Sequence, residues 1–304
     1  MKIAAIDVGT NSTRLLVADV DGPDGALTTI DRRTKITRLG QGVHEARVLD
    51  GEAIARTLTV LEEYSRAIRD HGAQRVRVTA TSASRDAANR ADFFDPAEQL
   101  LGVRPELISG EEEAVLEFTG ATHGLGEPEP YLLIDVGGGS TEFIAGGSQP
   151  DGLISIDVGC VRLTEQYLRS DPPTPEELSV AVSVVRDHLA DVDRAVPGAA
   201  HAKTMIGTAG TIWTLGAIEL GLDASESDRI HHSRLSRAAA EEIFRLLATE
   251  PIDVRRHNPG LEPGRVDVIV GGIIVVVAAM RHWGFDELLV SEADILDGLV
   301  RSIA

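Results

Sequence analysis

The chain opens on an apolar run, Lys2-Ile-Ala-Ala-Ile6, that halts at Asp7, and a second apolar run, Thr13-Arg-Leu-Leu-Val-Ala18, follows a short turn. Short apolar runs bounded by turn residues predict strands. Three are expected, over about 2–7, 13–20 and 26–37. A helix is expected over 51–70, where Leu58, Leu61 and Ile68 fall near helical spacing and His71-Gly72 supplies the stop. Beyond it, Arg75-Val-Arg-Val-Thr-Ala80 predicts a strand and Thr81-Ser-Ala-Ser-Arg85 a polar loop. A helix over 86–101, a short strand over 105–108 and a helix over 111–120, opened by Ser109-Gly110, complete the first half.

The second half starts the same way, with strands predicted over 131–136, 141–146 and 152–158 and a helix near 175–195. A strand over 203–207 then leads through Thr208-Ala-Gly-Thr211 into a helix. The remainder reads as mostly helical, with a last strand over 287–290 and a terminal helix from Ile295. Residues 266–280 are rich in β-branched side chains and would pass for strands on propensity alone. Their length, and the stop at Arg281-His-Trp-Gly284, predict a helix instead. Three meandering strands followed by crossover helices make a ribonuclease-H-like domain, and here the order occurs twice. The expected fold class is therefore α/β, two ribonuclease-H-like domains with a cleft between them. The first is expected over 1–125, completed by the C-terminal helix 295–304, and the second over 126–294, with a linker near 124–129.

Composition narrows the function. At 304 residues the chain has room for two domains, and an apolar content of 43% is that of a globular protein. The longest apolar stretch, 268–280, falls short of the roughly 20 residues a membrane span needs. No charged-then-apolar leader is visible, and one cysteine, Cys160, excludes an internal disulfide, so a cytoplasmic location is expected. The net charge of −19 argues against nucleic-acid or membrane binding. A polyanionic ligand would need a local basic pocket, for which Arg14, Arg85 and the run Arg32–Arg38 are candidates, although such a run is also an ordinary solvated strand edge.

The chemistry concentrates in two turns, Asp7-Val-Gly-Thr-Asn-Ser12 and Asp135-Val-Gly-Gly-Gly-Ser-Thr-Glu142. Each lies between two strands, so neither is a Walker loop or a dinucleotide fingerprint, which need a helix after the glycines. A Gly-rich turn presents backbone N–H groups to phosphate, and an adjacent carboxylate can hold the metal that phosphate brings. Gly9, Thr10, Asn11, Ser12 and Arg14 are the phosphate-binding candidates of the first turn, and Gly137, Gly138, Gly139 and Ser140 those of the second. Glu142, across the turn from Asp135, is placed to share one Mg²⁺ with it. Taken singly, Asp-x-Gly is common in hairpins; its occurrence at matching places in both halves favours a ligand role. A third loop, Gly207-Thr-Ala-Gly-Thr211, adds Thr208, Gly210 and Thr211 as anion ligands at a helix N-terminus. The glutamates Glu111, Glu112 and Glu113 open a helix, where the helix dipole alone would favour them; one of the three could equally be a general base for water.

These motifs resemble the exopolyphosphatase/guanosine-pentaphosphatase (Ppx/GppA) family. Besides the two turns, Thr79-Ala-Thr-Ser-Ala-Ser-Arg-Asp-Ala-Ala-Asn89, Ile108-Ser-Gly-Glu-Glu-Glu-Ala114, Gly207-Thr-Ala-Gly-Thr211 and Val290-Ser-Glu-Ala-Asp-Ile-Leu-Asp-Gly-Leu299 match in family order. The resemblance implies two domains of the actin-like ATPase, sugar kinase and Hsp70 superfamily and Mg²⁺-dependent release of terminal orthophosphate from inorganic polyphosphate, with Mn²⁺ as a substitute metal. It implies Glu113 as catalytic base, Arg85 as catalytic-loop arginine, and Asp135 and Glu142 as metal ligands. The chain is similar to the short, two-domain actinobacterial type, not to the long members with a C-terminal helical extension, so short polyphosphate is the expected substrate; a homodimer is expected separately. The rival readings are hydrolysis of guanosine pentaphosphate at the same site and, from another class, an actin-fold kinase or ATPase or a silent phosphate or alarmone sensor. Guanosine tetra- or pentaphosphate and nucleotides are candidate ligands or inhibitors.

Overall fold

The structure is a computed structural model and describes residues 1–22, 25–223 and 226–304. The chain divides into two units, Met1–His123 with Ala293–Ala304, and Gly124–Glu292. Unit 1 is built on β1 (Lys2–Val8), β2 (Ser12–Val20), β3 (Leu27–Ile36), β4 (Arg75–Ala80) and β5 (Glu106–Leu107), in the order β3-β2-β1-β4-β5. β1, β2 and β3 pair antiparallel, while β4 and β5 join parallel to β1. The central β1 is apolar on both faces because both are covered. Ala4 and Ile6 pack in one cluster with Leu61 and Tyr64, from the helix Gly51–His71. Ile3 and Ala5 pack in another with Ile295, Leu296, Leu299 and Val300, from the helix Ile295–Ser302. The helix Gly51–His71 is bounded as its sequence dictates: the Asp50 side chain accepts from the N–H groups of Glu52 and Ala53, and Gly72 ends it at φ 71°.

Unit 2 holds β6 (Tyr131–Val136), β7 (Thr141–Gly146), β8 (Pro150–Ile156), β9 (Thr204–Thr208), β10 (Arg234–Ser236) and β11 (Glu287–Val290), in the order β10-β11-β9-β6-β7-β8. Taken from the other edge, β8-β7-β6-β9-β11 repeats the order and directions of β3-β2-β1-β4-β5. The ribonuclease-H-like order is thus present in both units, with β10 added antiparallel to β11. Residues 266–280 fall largely in the helix Ile269–Trp283, whose side chains are buried almost all round. Among the described residues no helix is long and apolar enough to cross a membrane.

Two local expectations need correction, and two elements had not been expected. The polar loop at 81–85 is instead part of a short helix, Ser82–Asp86. The helix expected from 86 starts at Ala91, because Ala87 is extended and the Asn89 amide bonds both the N–H and the carbonyl of Leu49, at 2.7 and 3.1 Å. The helix Cys160–Tyr167 and the three-residue β10 had no sequence signal of their own and form on tertiary partners. Arg32 and Arg33 are bound to acids, Arg32 to Asp294 and Asp297 and Arg33 to Asp31.

Candidate active site

Strand register lines up one polar row at the same end of each sheet. In unit 1 the row runs Thr34, Arg14, Asp7, Thr79 across β3, β2, β1 and β4. In unit 2 it runs Ser155, Glu142, Asp135, Thr208 across β8, β7, β6 and β9. Side chains directly opposite one another across a strand pair lie on one face, with Cβ atoms about 4.5–5.5 Å apart in antiparallel pairs. The two rows differ in charge at one place, where Arg14 stands in unit 1 and Glu142 in unit 2.

That difference decides what each row can hold. Arg14 donates through Nε and Nη2 to Asp7 Oδ2, at 3.2 and 2.7 Å, and through Nη1 to Asp294. Thr79 Oγ1 donates to Asp7 Oδ1 at 3.4 Å. Asp7 is 2% exposed; burial raises its carboxyl above the ordinary carboxylate range and Arg14 pulls against that shift. In unit 2 the partner of Asp135 is a second carboxylate. Both are buried, and Ser155 Oγ donates to Glu142 Oε1 at 2.6 Å. Opposed carboxylates in a buried setting favour a cation or a shared proton. Among the described residues no group of three or more His, Cys, Asp or Glu side chains could hold a metal. Two carboxylates fit Mg²⁺, which is commonly bound by one or two of them and completes its shell with water and substrate phosphate.

The turns carrying these rows share a geometry. A Cβ on Gly9 would stand 3.2 Å from the Ser12 carbonyl oxygen, and one on Gly137 3.1 Å from that of Ser140. The first turn is held by its carbonyls: Thr37 and Arg38 donate their N–H groups to Asn11 O, and Gly40 to Thr10 O. The Asn11 amide is buried, and neither of its polar atoms has a hydrogen-bond partner among the described residues. The second turn rests on the start of the helix Cys160–Tyr167, where Cys160 N donates to Gly137 O, Val161 N to Gly138 O, and Arg162 Nε to Gly139 O at 2.7 Å. Since carbonyl and N–H of one peptide point oppositely, the N–H groups of Gly138 and Gly139 face away from that helix, while Ser140 N lies beside Gly159, where an added Cβ would stand 2.7 Å from it. Cys160 is buried and its thiol pKa is raised by that burial, which makes it inert.

In the third loop Thr208 precedes the helix Ala209–Leu220, and Ala209 adopts φ 65°. A Cβ on Gly210 would collide with the guanidinium of Arg265, so only glycine lets this cation lie on the loop. Arg265 is 8% exposed and donates to Glu262 at 2.6 Å. Sequence reasoning missed it, because no spacing ties it to a loop more than 50 positions earlier. Gly272 makes similar room for Thr211, whose Oγ1 would lie 2.5 Å from an added Cβ.

The three glutamates of the helix Gly110–Thr122 have distinct surroundings. Ser109 caps the helix, accepting from Glu112 N at 3.1 Å. Glu111 is exposed. Glu112 is bound by Arg77 at 2.9 Å with its side chain 47% exposed. Glu113, 14% exposed, accepts from Arg85 Nη1 at 2.8 Å, and the same nitrogen donates to Ile108 O at 3.0 Å. Arg85 therefore orients Glu113, and among the described residues its Nε and Nη2 make no hydrogen bond.

A model of the Ppx/GppA phosphatase family matches residues 16–304. The chain belongs to that family. This Ppx/GppA chain is 44% identical over 315 aligned residues to Exopolyphosphatase 2 of Mycobacterium tuberculosis, covering 100% of the chain and 98% of the relative. Among solved structures, an exopolyphosphatase-like protein is similar at 37% identity and a TM-score of 0.92, over 99% of this chain and 98% of that one. The Aquifex aeolicus Ppx/GppA family member is similar at 30% identity and a TM-score of 0.83, over 100% of this chain and 97% of its own. The aligned relative and structures span both polar rows and the helix of Glu113, while the family-model match begins beyond Asp7 and Arg14.

Proposed function

We propose that the chain is a cytoplasmic exopolyphosphatase, which hydrolyses terminal orthophosphate from inorganic polyphosphate, preferentially from short chains. One observation carries the reading: Glu113, in the first turn of a capped helix, is the partly shielded glutamate whose carboxylate an arginine holds in place. A carboxylate so placed serves a hydrolase by taking a proton from water. Glu113 accepts that proton as the water oxygen attacks the terminal phosphorus; the P–O bond to the rest of the chain breaks and orthophosphate leaves. The amide edges of the turns at Thr10–Ser12 and Gly137–Ser140 bind phosphate oxygens, the Gly9 N–H being taken by the Ser12 carbonyl at 2.9 Å; Thr208, Gly210 and Thr211 join them at the third loop, and the Nε and Nη2 of Arg85 offset charge. Asp135 and Glu142 would hold Mg²⁺, or Mn²⁺ in its place, which when bound neutralises charge developing on the phosphate oxygens. Arg14 neutralises Asp7 and shapes the first turn. Positioning and electrostatics of this kind supply most of the acceleration in phosphoryl transfer.

The test is phosphate release from polyphosphates of graded length, with and without Mg²⁺, beside release from guanosine pentaphosphate. Metal-dependent release that is fastest on short polyphosphate is expected. Release from the guanosine nucleotide alone would replace this reading with the nucleotide-hydrolase one.

A further inference from the structure

Unit 2 contains a cavity of about 340 Å³ that belongs to none of the three loops. Its wall is formed by the helices Pro175–Ala195, Arg237–Thr249 and Ile269–Trp283. Phe244, Ile274 and Val277 give it an apolar floor, and Arg186, Arg245 and Arg281 line it as well. Three arginines thus flank one apolar floor in a chain of net charge −19. Two of them are paired with acids, and one of those acids, Glu241, itself lines the cavity, so the lining sets three arginines against one carboxylate. Arg245 and Arg281 meet Glu242 and Glu241 with guanidinium-bearing side chains still 60% and 61% exposed, and such surface pairs hold little energy. Arg186 is exposed and makes no hydrogen bond or ion pair among the described residues.

We propose that this cavity is a binding site for a small organic anion, one with an apolar or aromatic body and a phosphate, sulfonate or carboxylate head. The volume lies in the range of small-molecule sites, which pair an apolar lining with a few placed polar groups. The floor takes the body, and the arginines take the head through charge-assisted hydrogen bonds. The site is separate from the proposed polyphosphate chemistry but shares an element with it. The helix Ile269–Trp283 presses Gly271 against the Cys160 carbonyl and Gly272 against Thr211, and lines the cavity with Ile274, Val277 and Arg281 further along.

The probe is 8-anilinonaphthalene-1-sulfonate, an aromatic body with one anionic head, titrated into the intact chain and followed by fluorescence. Its uncharged counterpart, N-phenyl-1-naphthylamine, is titrated alongside. Saturable binding of one sulfonate per chain is expected, at least about 10-fold tighter than the uncharged probe. The double variant Arg186→Gln/Arg245→Gln, on exposed helix surface, should weaken the sulfonate about 10-fold and leave the uncharged probe unmoved. Ala278→Phe, which fills the cavity, should abolish binding of both, with circular dichroism confirming the fold. The proposal is overturned by absence of saturable sulfonate binding, whether or not a second copy covers this face. Equal affinity for the two probes, or indifference to both variants, overturns it too.

Discussion

At the scale of single residues, spacing left three glutamates equivalent, and their ion pairs separate them. Arg77 holds Glu112 near the surface, while Arg85 holds the more shielded Glu113. Glu113→Gln should therefore lower kcat by about 10²–10⁴-fold with little change in KM, the usual range for a positioned acid–base group. Glu112→Gln should stay within a few fold of wild type in the same phosphate-release assay. Wild-type turnover in Glu113→Gln would remove it as the base. The carboxylates of unit 2 make a separate prediction. Asp135→Asn and Glu142→Gln should each weaken Mg²⁺ binding by 10-fold or more in a calorimetric titration of the unreacted protein, and chelation should abolish phosphate release from the wild type. An unchanged Mg²⁺ isotherm in both variants would argue against a metal role. The charge reversal between the rows makes Asp7 a poor second metal site, since Arg14 already occupies its carboxylate.

At the scale of elements, two glycines set how closely the terminal helix docks. A Cβ on Gly120 would overlap the Asp294 carbonyl, and one on Gly298 the Leu116 carbonyl, both rigid backbone atoms. Gly120→Ala and Gly298→Ala should each destabilise unit 1 by about 1–3 kcal/mol, read as a lower urea midpoint. Gly51→Ala, where an added Cβ meets open space, is the control and should be close to neutral. The long elements were legible because apolar period and capping residues act within a few positions of the chain. The helix Pro175–Ala195, with its Thr174–Glu177 capping box, is an example. The short ones were not. Ser82–Asp86 and Cys160–Tyr167 are too short to stand on propensity and owe their place to distant partners, such as the carbonyls of Gly137 and Gly138 that receive the start of the latter.

At the scale of the whole molecule, the last residues complete the fold of the first. Ile295, Leu296, Leu299 and Val300 are at most 1% exposed. Burying each is worth about 1.5–3 kcal/mol, so together they match the stability of an ordinary domain. Asp294 and Asp297 also answer Arg14 and Arg32. Truncation after Glu292 should therefore unfold unit 1, seen as loss of its amide-exchange protection, and abolish phosphate release. A truncated chain that keeps both would refute the dependence.

The sequence by itself determined the α/β class, the duplicated meander of strands and the three Gly-rich loops, because strand alternation, turn chemistry and helix caps are local. It also placed the candidate carboxylates at the ends of strands. Only the tertiary structure decided which charges meet. Arg14 and Asp294 lie 280 positions apart, and Arg265 reaches Gly210 only after unit 2 has folded. No local pattern encodes such a meeting, since it depends on how helices and sheet pack, and that packing makes one acidic turn a neutralised anchor and the other a pair of facing carboxylates.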